Sequence, residues 1–575
     1  MRIKLLIIFF ATVLVEGIFS LIVLLDMKFD PGRGHIFNYS TLKWALVGMV
    51  MLILPALLAA VVSLCSKAKW GQSLFTSLDT HLIGAKKQLS FVQCTLLVLT
   101  LFLIECFLMT YLAFPVPMRP LFLWAAATTF QVWLVLRIAY AGVYAEQPSL
   151  AARLRMKRNA WSPLQRKVFF VVVIIGLVYF LAFIPINLLR DSYGNFNIQG
   201  DEQVVYPEVV RALVLQNTFT ANVRNVLESW GWQYGYPYLT ISASVLLIPR
   251  LIFGNQFAEQ VQLNIFLLRQ FVSVLPMVLS LLLCVYLVTH FKSMLMSVSM
   301  FVFLLLVPGI VKYNHQYWHP DSFILLLIVL TIYFLQKDKL RFGVCFYLAA
   351  VACGLATAIK LWGLFFVLTV AGYLLAGLLQ KKLTFKKFIL AGVCYIFVML
   401  GTFIMSSPSI MAPYIARVAF RDWLPRQNAL LYGPNPDTSG FYDTGLTNWL
   451  KYFGFHYMKG YFFYFSFLAL IAGSLWGSRR YLNRVLLGWC AATAIFLVYF
   501  VAMKNFQYML PLAVPLYCGA FLFPASMDID PNPKGVSFLT KPPARKIIQG
   551  LTIAIFLSQF IVNLVILYLY LIRGR

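Results

Sequence analysis

The stretch NFNIQGDEQVVYPEVVRAL sets two adjacent carboxylates, Asp201 and Glu202, into a chain that is 61% hydrophobic. Three later stretches are also polar. YNHQYWHPDS holds His315, His319 and Asp321, ATAIKLWG holds Lys360, and MKNFQYMLP holds Lys504, Asn505, Gln507 and Tyr508. Carboxylates and imidazoles exchange protons, and lysines neutralise anions. Taken singly, each stretch has an ordinary structural use. The carboxylates cap a helix, the Pro320-Asp321 turn opens one, and the lysines carry their charge out to the headgroups. Those uses do not explain two acidic and two basic clusters, with aromatics, all expected on one side of a membrane. Together they point to an active site.

The elements that must position these clusters are membrane helices. Charged residues make up 11% of 575 positions, too few for a chain of this length to fold around one aqueous core. Apolar runs long enough to cross about 30 Å of hydrocarbon recur throughout, and the alternation of membrane strands is absent. The expected spans are 5–25, 44–65, 91–114, 121–143, 168–188, 266–289, 294–311, 323–335, 344–359, 361–379, 388–405, 461–475, 485–501, 509–523 and 547–571. The first, which carries Glu16 and no clear cleavage site, is read as a retained span rather than a signal peptide.

The formal charge of +28 does not call for nucleic acid. Its basic residues gather in RLRMKR, QKDKLR, QKKLTFKK and SRRYLNR, which all become cytoplasmic if the N-terminus is inside. The nine cysteines lie in or beside expected spans, with no disulfide or zinc spacing. This organisation predicts a four-helix module over 1–143, a basic cytoplasmic linker over 144–167, a core over 168–525 and a linker with a terminal helix over 526–575. Within the first module, Glu16, Glu105 and Arg137 are expected to form a buried ion cluster. Two long extracytoplasmic loops, 189–265 and 406–460, interrupt the core. Within the first, VVYPEVVRALVLQ and YPYLTISASVLLIPRLIFG, the latter interrupted by Pro249 and Arg250, are expected to lie in the interface plane.

The order of these motifs resembles the GT-C superfamily of integral-membrane glycosyltransferases, in the branch of protein O-mannosyltransferases and lipid A aminoarabinose transferases. GDEQ, YGYPYLTISASVLLIPRLIFG and Arg269 are similar to that family's acidic pair, interfacial helices and following span. HPDSFILLLIVL resembles its second acidic turn, GLATAIKLWGLFF its span ending in Lys, and QYMLPLAVPLY its late Tyr-x-x-Pro-type span. The resemblance covers residues 168–525. It departs at Gln507, where the family often has Arg, and Lys504 stands three residues earlier.

The resemblance implies an all-α GT-C fold of about 15 transmembrane helices, with interfacial helices in the first large extracytoplasmic loop. It implies an inverting transfer of a sugar from a polyprenyl-phosphate donor to a lipid, glycan or protein acceptor, on the extracytoplasmic face of a membrane, bacterial plasma membrane rather than endoplasmic reticulum. Asp201 is then the general base, with Glu202 as helper or positioner. His319, Asp321, Lys360, Lys504, Gln507 and Tyr508 bind the donor, with Lys360 and Lys504 at its phosphate. A divalent Mg or Mn ion among Asp201, Glu202, Asp321 and His315 is an option rather than a requirement. The 406–460 loop is expected to lid the cavity or select the acceptor. The rival classes are a transporter or lipid flippase, and a ligase or polymerase using a lipid-diphosphate donor.

Overall fold

The computed structural model describes residues 87–109, 118–140, 161–188, 200–216, 234–315, 317–407, 444–526 and 542–573, with scattered positions elsewhere. The described residues are helical apart from turns, connecting segments and one antiparallel pair of two-residue strands, β1 His35–Ile36 and β2 Tyr39–Ser40. Eight helices are long and apolar enough to cross a membrane, or up to ten if each of two bent pairs is one span. The protein is therefore a multi-pass membrane protein. A helix stands at every expected span from 91–114 onward. The spans at 5–25 and 44–65, Glu16, the side chains of Glu105 and Arg137, the linker 144–160 and most of the 406–460 loop lie outside the described residues.

The chain divides into two compact units. The smaller contains α1 Lys87–Met109 and α2 Met118–Tyr140, with residues 397–418. Polar side chains join these pieces. Thr100 donates to Thr129 between α1 and α2, and Gln131 donates to the Val398 carbonyl at 2.8 Å. The Trp124 indole N–H donates to the Met405 carbonyl. In an apolar surround such bonds, unlike Leu on Leu, fix which faces meet.

The larger unit holds the remaining helices. Its chain begins with α3 Pro163–Leu188, α4 Gly200–Leu213, α5 Tyr236–Phe253 and α6 Val261–Thr289. It continues through α7 Met294–Leu305, α8 Pro308–Asn314, α9 Asp321–Asp338 and α10 Val344–Ile359. Then come α11 Leu361–Leu379, α12 Phe385–Met405, α13 Leu446–His456, α14 Gly460–Trp476, α15 Arg480–Tyr499, α16 Phe506–Ser526 and α17 Pro542–Arg573. α4 passes into the smaller unit at residue 211 and α12 at residue 397. α16 is the most enclosed of the membrane-length helices, while α3 and α17 keep most of their surface outward. Their apolar outer faces suit lipid.

One expectation is corrected here. α5 runs unbroken through Pro249 and Arg250, and at 18 residues it is long and apolar enough to count among the candidate spans. A proline removes one backbone donor and bends a helix, but neighbouring turns keep the helix going.

Three local features position the site. α6 contains a π-helical segment, Arg269–Val274. Such a bulge rotates the side chains that follow it and weakens the backbone ladder. Here the Val272 carbonyl accepts a bond from Ser322 Oγ at the start of α9. α7 and α8 form a helix pair bent by 62°, with Pro308 opening the second piece, which delivers the chain into the 315–320 turn. α10 ends at Lys360, and Gly235, with φ of 63°, lies so close that a Cβ there would stand 1.9 Å from the Ala358 carbonyl oxygen. Only glycine tolerates both that conformation and that approach. Gly235 therefore lets Tyr234 lie over the end of α10.

Candidate active site

The site begins with a buried ion pair. Arg269 donates from Nε to Glu202 Oε1 at 2.8 Å and from Nη2 to Oε2 at 2.6 Å, and both side chains are fully enclosed. A planar guanidinium meets a carboxylate in this two-bond geometry with little freedom left over. Glu202 Oε1 also accepts from the Trp318 backbone N–H at 2.8 Å. One carboxylate thus ties α4, α6 and the 315–320 turn together. Enclosed and engaged on both oxygens, Glu202 has the geometry of the positioner rather than of a helper open to substrate.

Its neighbour points elsewhere. The Asp201 side chain is 44% exposed, against 0% for Glu202 and 0% for Asp321. Asp201 Oδ2 accepts from the Tyr317 hydroxyl at 2.8 Å and lies 3.8 Å from His319 Nε2. Adjacent residues at the first turn of α4 therefore divide the work, one holding the scaffold and one facing open space.

His319 bridges the two remaining charged groups. Its Nδ1 contacts Asp321 Oδ2, and the Asp321 carboxylate in turn receives the Lys360 ammonium on both oxygens, at 3.0 and 3.1 Å. The backbone holds His319 in place at both ends. Its N–H donates to Ser273 Oγ at 3.1 Å, and its carbonyl accepts from the Tyr313 hydroxyl. Burial, and then the Lys360 cation, hold the imidazole below the usual histidine range, against the pull of Asp321 and Asp201.

Aromatic rings wall this chain of groups. Tyr317 stacks on His319 with centroids 5.0 Å apart, and Tyr234 meets it edge-on at 4.7 Å. Lys360 Nζ lies 5.3 Å from the ring centres of both Tyr234 and Tyr508, within cation–π range. Burial first, and then Asp201, push the Tyr234 and Tyr317 phenols above the ordinary tyrosine range, so both keep their protons and act as donors.

Of the residues singled out from sequence, the structure brings Asp201, His319, Asp321, Lys360 and Tyr508 together. Lys504 and Gln507 are buried, and Tyr508 is the member of their stretch whose ring reaches Lys360. His315 is not brought in. Its Nδ1 lies 2.9 Å from the Tyr570 hydroxyl near the end of α17. The metal set Asp201, Glu202, Asp321 and His315 is therefore not assembled, because Glu202 is engaged by Arg269 and His315 faces another way. Among the described residues no group of three or more His, Cys, Asp or Glu is arranged to hold a metal ion.

Sequence reasoning named Arg269 only within the resemblance, with no partner for it, and gave Tyr317, Tyr234 and Ser273 no role. An arginine inside an apolar run was a usable signal, since such a residue needs a partner. The tyrosines, among 30, carried none. No family model matches the chain, and no curated protein matches it.

Proposed function

We propose that the protein is a membrane glycosyltransferase of GT-C type, with about 15 spans, that moves a sugar from a polyprenyl-phosphate donor to an acceptor on the extracytoplasmic side. The observation that carries this reading is the contrast between Asp201, exposed to an open face, and the enclosed, fully paired carboxylates Glu202 and Asp321 around it. A base must reach its substrate's proton, and of the three only Asp201 is open to do so. The Tyr317 hydroxyl fixes which way its carboxylate points.

In this reading the acceptor hydroxyl approaches Asp201 and attacks the anomeric carbon as the bond to the donor phosphate breaks. The leaving phosphate gains charge, and Lys360, aimed by Asp321 and flanked by Tyr508 and Tyr234, answers it. His319 links the base side to the phosphate side. Under the resemblance Lys504 and Gln507 belong to the donor side. The test is turnover by purified protein with radiolabelled polyprenyl-monophosphate, polyprenyl-diphosphate and nucleotide sugars in parallel. Transfer from the monophosphate alone is expected. Transfer from the diphosphate alone gives the ligase reading, and transfer from a nucleotide sugar overturns the proposal.

A transporter is the second reading, favoured by the two bent helix pairs, Met294–Leu305 with Pro308–Asn314 and Leu446–His456 with Gly460–Trp476, the latter at 101°. Broken helices of this kind line the substrate sites of transporters. Uptake into proteoliposomes without any transfer product would favour it.

A further inference from the structure

Lys312, on α8, stands outside the group of residues just described and holds its charge in a different way. Its ammonium lies 4.9 Å from the ring centre of Phe506 and 6.0 Å from that of Tyr570. The side chain is partly buried, and no carboxylate among the described residues pairs with it. A half-buried cation surrounded by rings gains some cation–π attraction, yet it keeps a field that calls for an anion. His315 sits beside it, hydrogen-bonded to Tyr570, and His456 packs on the same Phe506 ring at 5.8 Å. Burial, and then the Arg269 charge, hold the His315 imidazole below the usual range, so it adds a neutral polar group rather than a second charge.

We propose that Lys312, His315 and Tyr570 form a second anion site, which takes the phosphate headgroup of a membrane lipid. Lysine binds phosphate as a point charge, and the surroundings indicate a lipid as the source. Tyr570 closes the candidate span Lys546–Tyr570, and Lys312 stands in the last turn of the bent helix pair that ends at Asn314, so the cradle lies where two spans end. That is the level of lipid headgroups, with the tails alongside the apolar helices. The position of Lys312 in the last turn of α8 does not remove the need, because a helix of seven residues offers its C-terminal end only a fraction of a charge. The cradle also adjoins the candidate active site: Phe506 lies 6.1 Å from the Tyr317 ring, and Tyr317 holds Asp201. The site requires no sugar transfer and stands apart from that proposal.

Native mass spectrometry of the full-length protein in detergent tests it, with phosphatidic acid and diacylglycerol of the same chains titrated in parallel. One phosphatidic acid should be retained and diacylglycerol should not. Lys312→Met should weaken retention by about tenfold, and Lys312→Arg should restore it. Where Lys312→Met fails to fold, Tyr570→Leu reads the same cradle and should weaken retention several-fold. Retention of phosphatidic acid against excess inorganic phosphate is expected, and full displacement by it would overturn a lipid as the ligand. Equal retention by Lys312→Met or Tyr570→Leu and the wild type, or equal retention of diacylglycerol, would overturn the proposal. The readout involves no sugar, so it separates cleanly from the donor test.

Discussion

Lys360 and Lys312 both border the turn that runs from His315 to Pro320, one through Asp321 and the other from the helix that leads in. Lys360 has the enclosed Asp321 carboxylate on its ammonium at 3.0 and 3.1 Å, with two tyrosine rings alongside. Lys312 has rings and no carboxylate among the described residues. The first cation is balanced within the fold, and in the proposed reaction it meets a developing charge only as that charge appears. The second is left for something from outside to balance. The same residue type, close to the same turn, is thus prepared for two different jobs by whether an acid was buried beside it.

Removing each charge should break that comparison in opposite directions. Lys360→Met strands Asp321 in a site with no solvent exposure, and loss of one partner of a buried pair costs about 3 kcal/mol or more. Lys312→Met strands nothing and removes a charge whose burial is uncompensated, so in lipid-free detergent its thermal midpoint should match or exceed that of the wild type. Thermal unfolding of the two variants side by side measures this. A large loss for Lys312→Met would mean that an acid does pair with it.

A smaller effect sharpens the Lys360 side. The His319 imidazole is held below its ordinary value of 6.5, so the unfolded chain takes up a proton there more readily than the folded one. The stability it supports is fully present above that value and declines as pH falls below it. Thermal midpoints measured at about pH 7 and about pH 5 should therefore differ more in the wild type than in His319→Gln. An equal drop in both proteins would assign the acid sensitivity to other groups.

Much of this geometry was legible in the sequence, for reasons particular to the residues. Asp321, Lys360 and Asp201 were visible because a charge in an apolar chain must have a use, and the structure brings them to one place. The division of labour between Asp201 and Glu202 was not visible, because it depends on Arg269 coming from a π-helical turn that no periodicity announces. The destination of His315 was hidden for a similar reason, since its partner Tyr570 lies 255 residues away on the last helix. The continuity of α5 was missed because Pro249 and Arg250 read as a break, whereas in the structure the helix carries both.

Asp201 is the group proposed to take the acceptor's proton. Asp201→Asn keeps the shape and exposure of the side chain and its bond from Tyr317 while removing basicity. Donor binding and single-turnover transfer should be measured on the same preparation. The account predicts that binding of a polyprenyl-monophosphate sugar stays within about twofold while transfer falls by roughly 100-fold or more. Transfer at the wild-type rate with binding intact would contradict it.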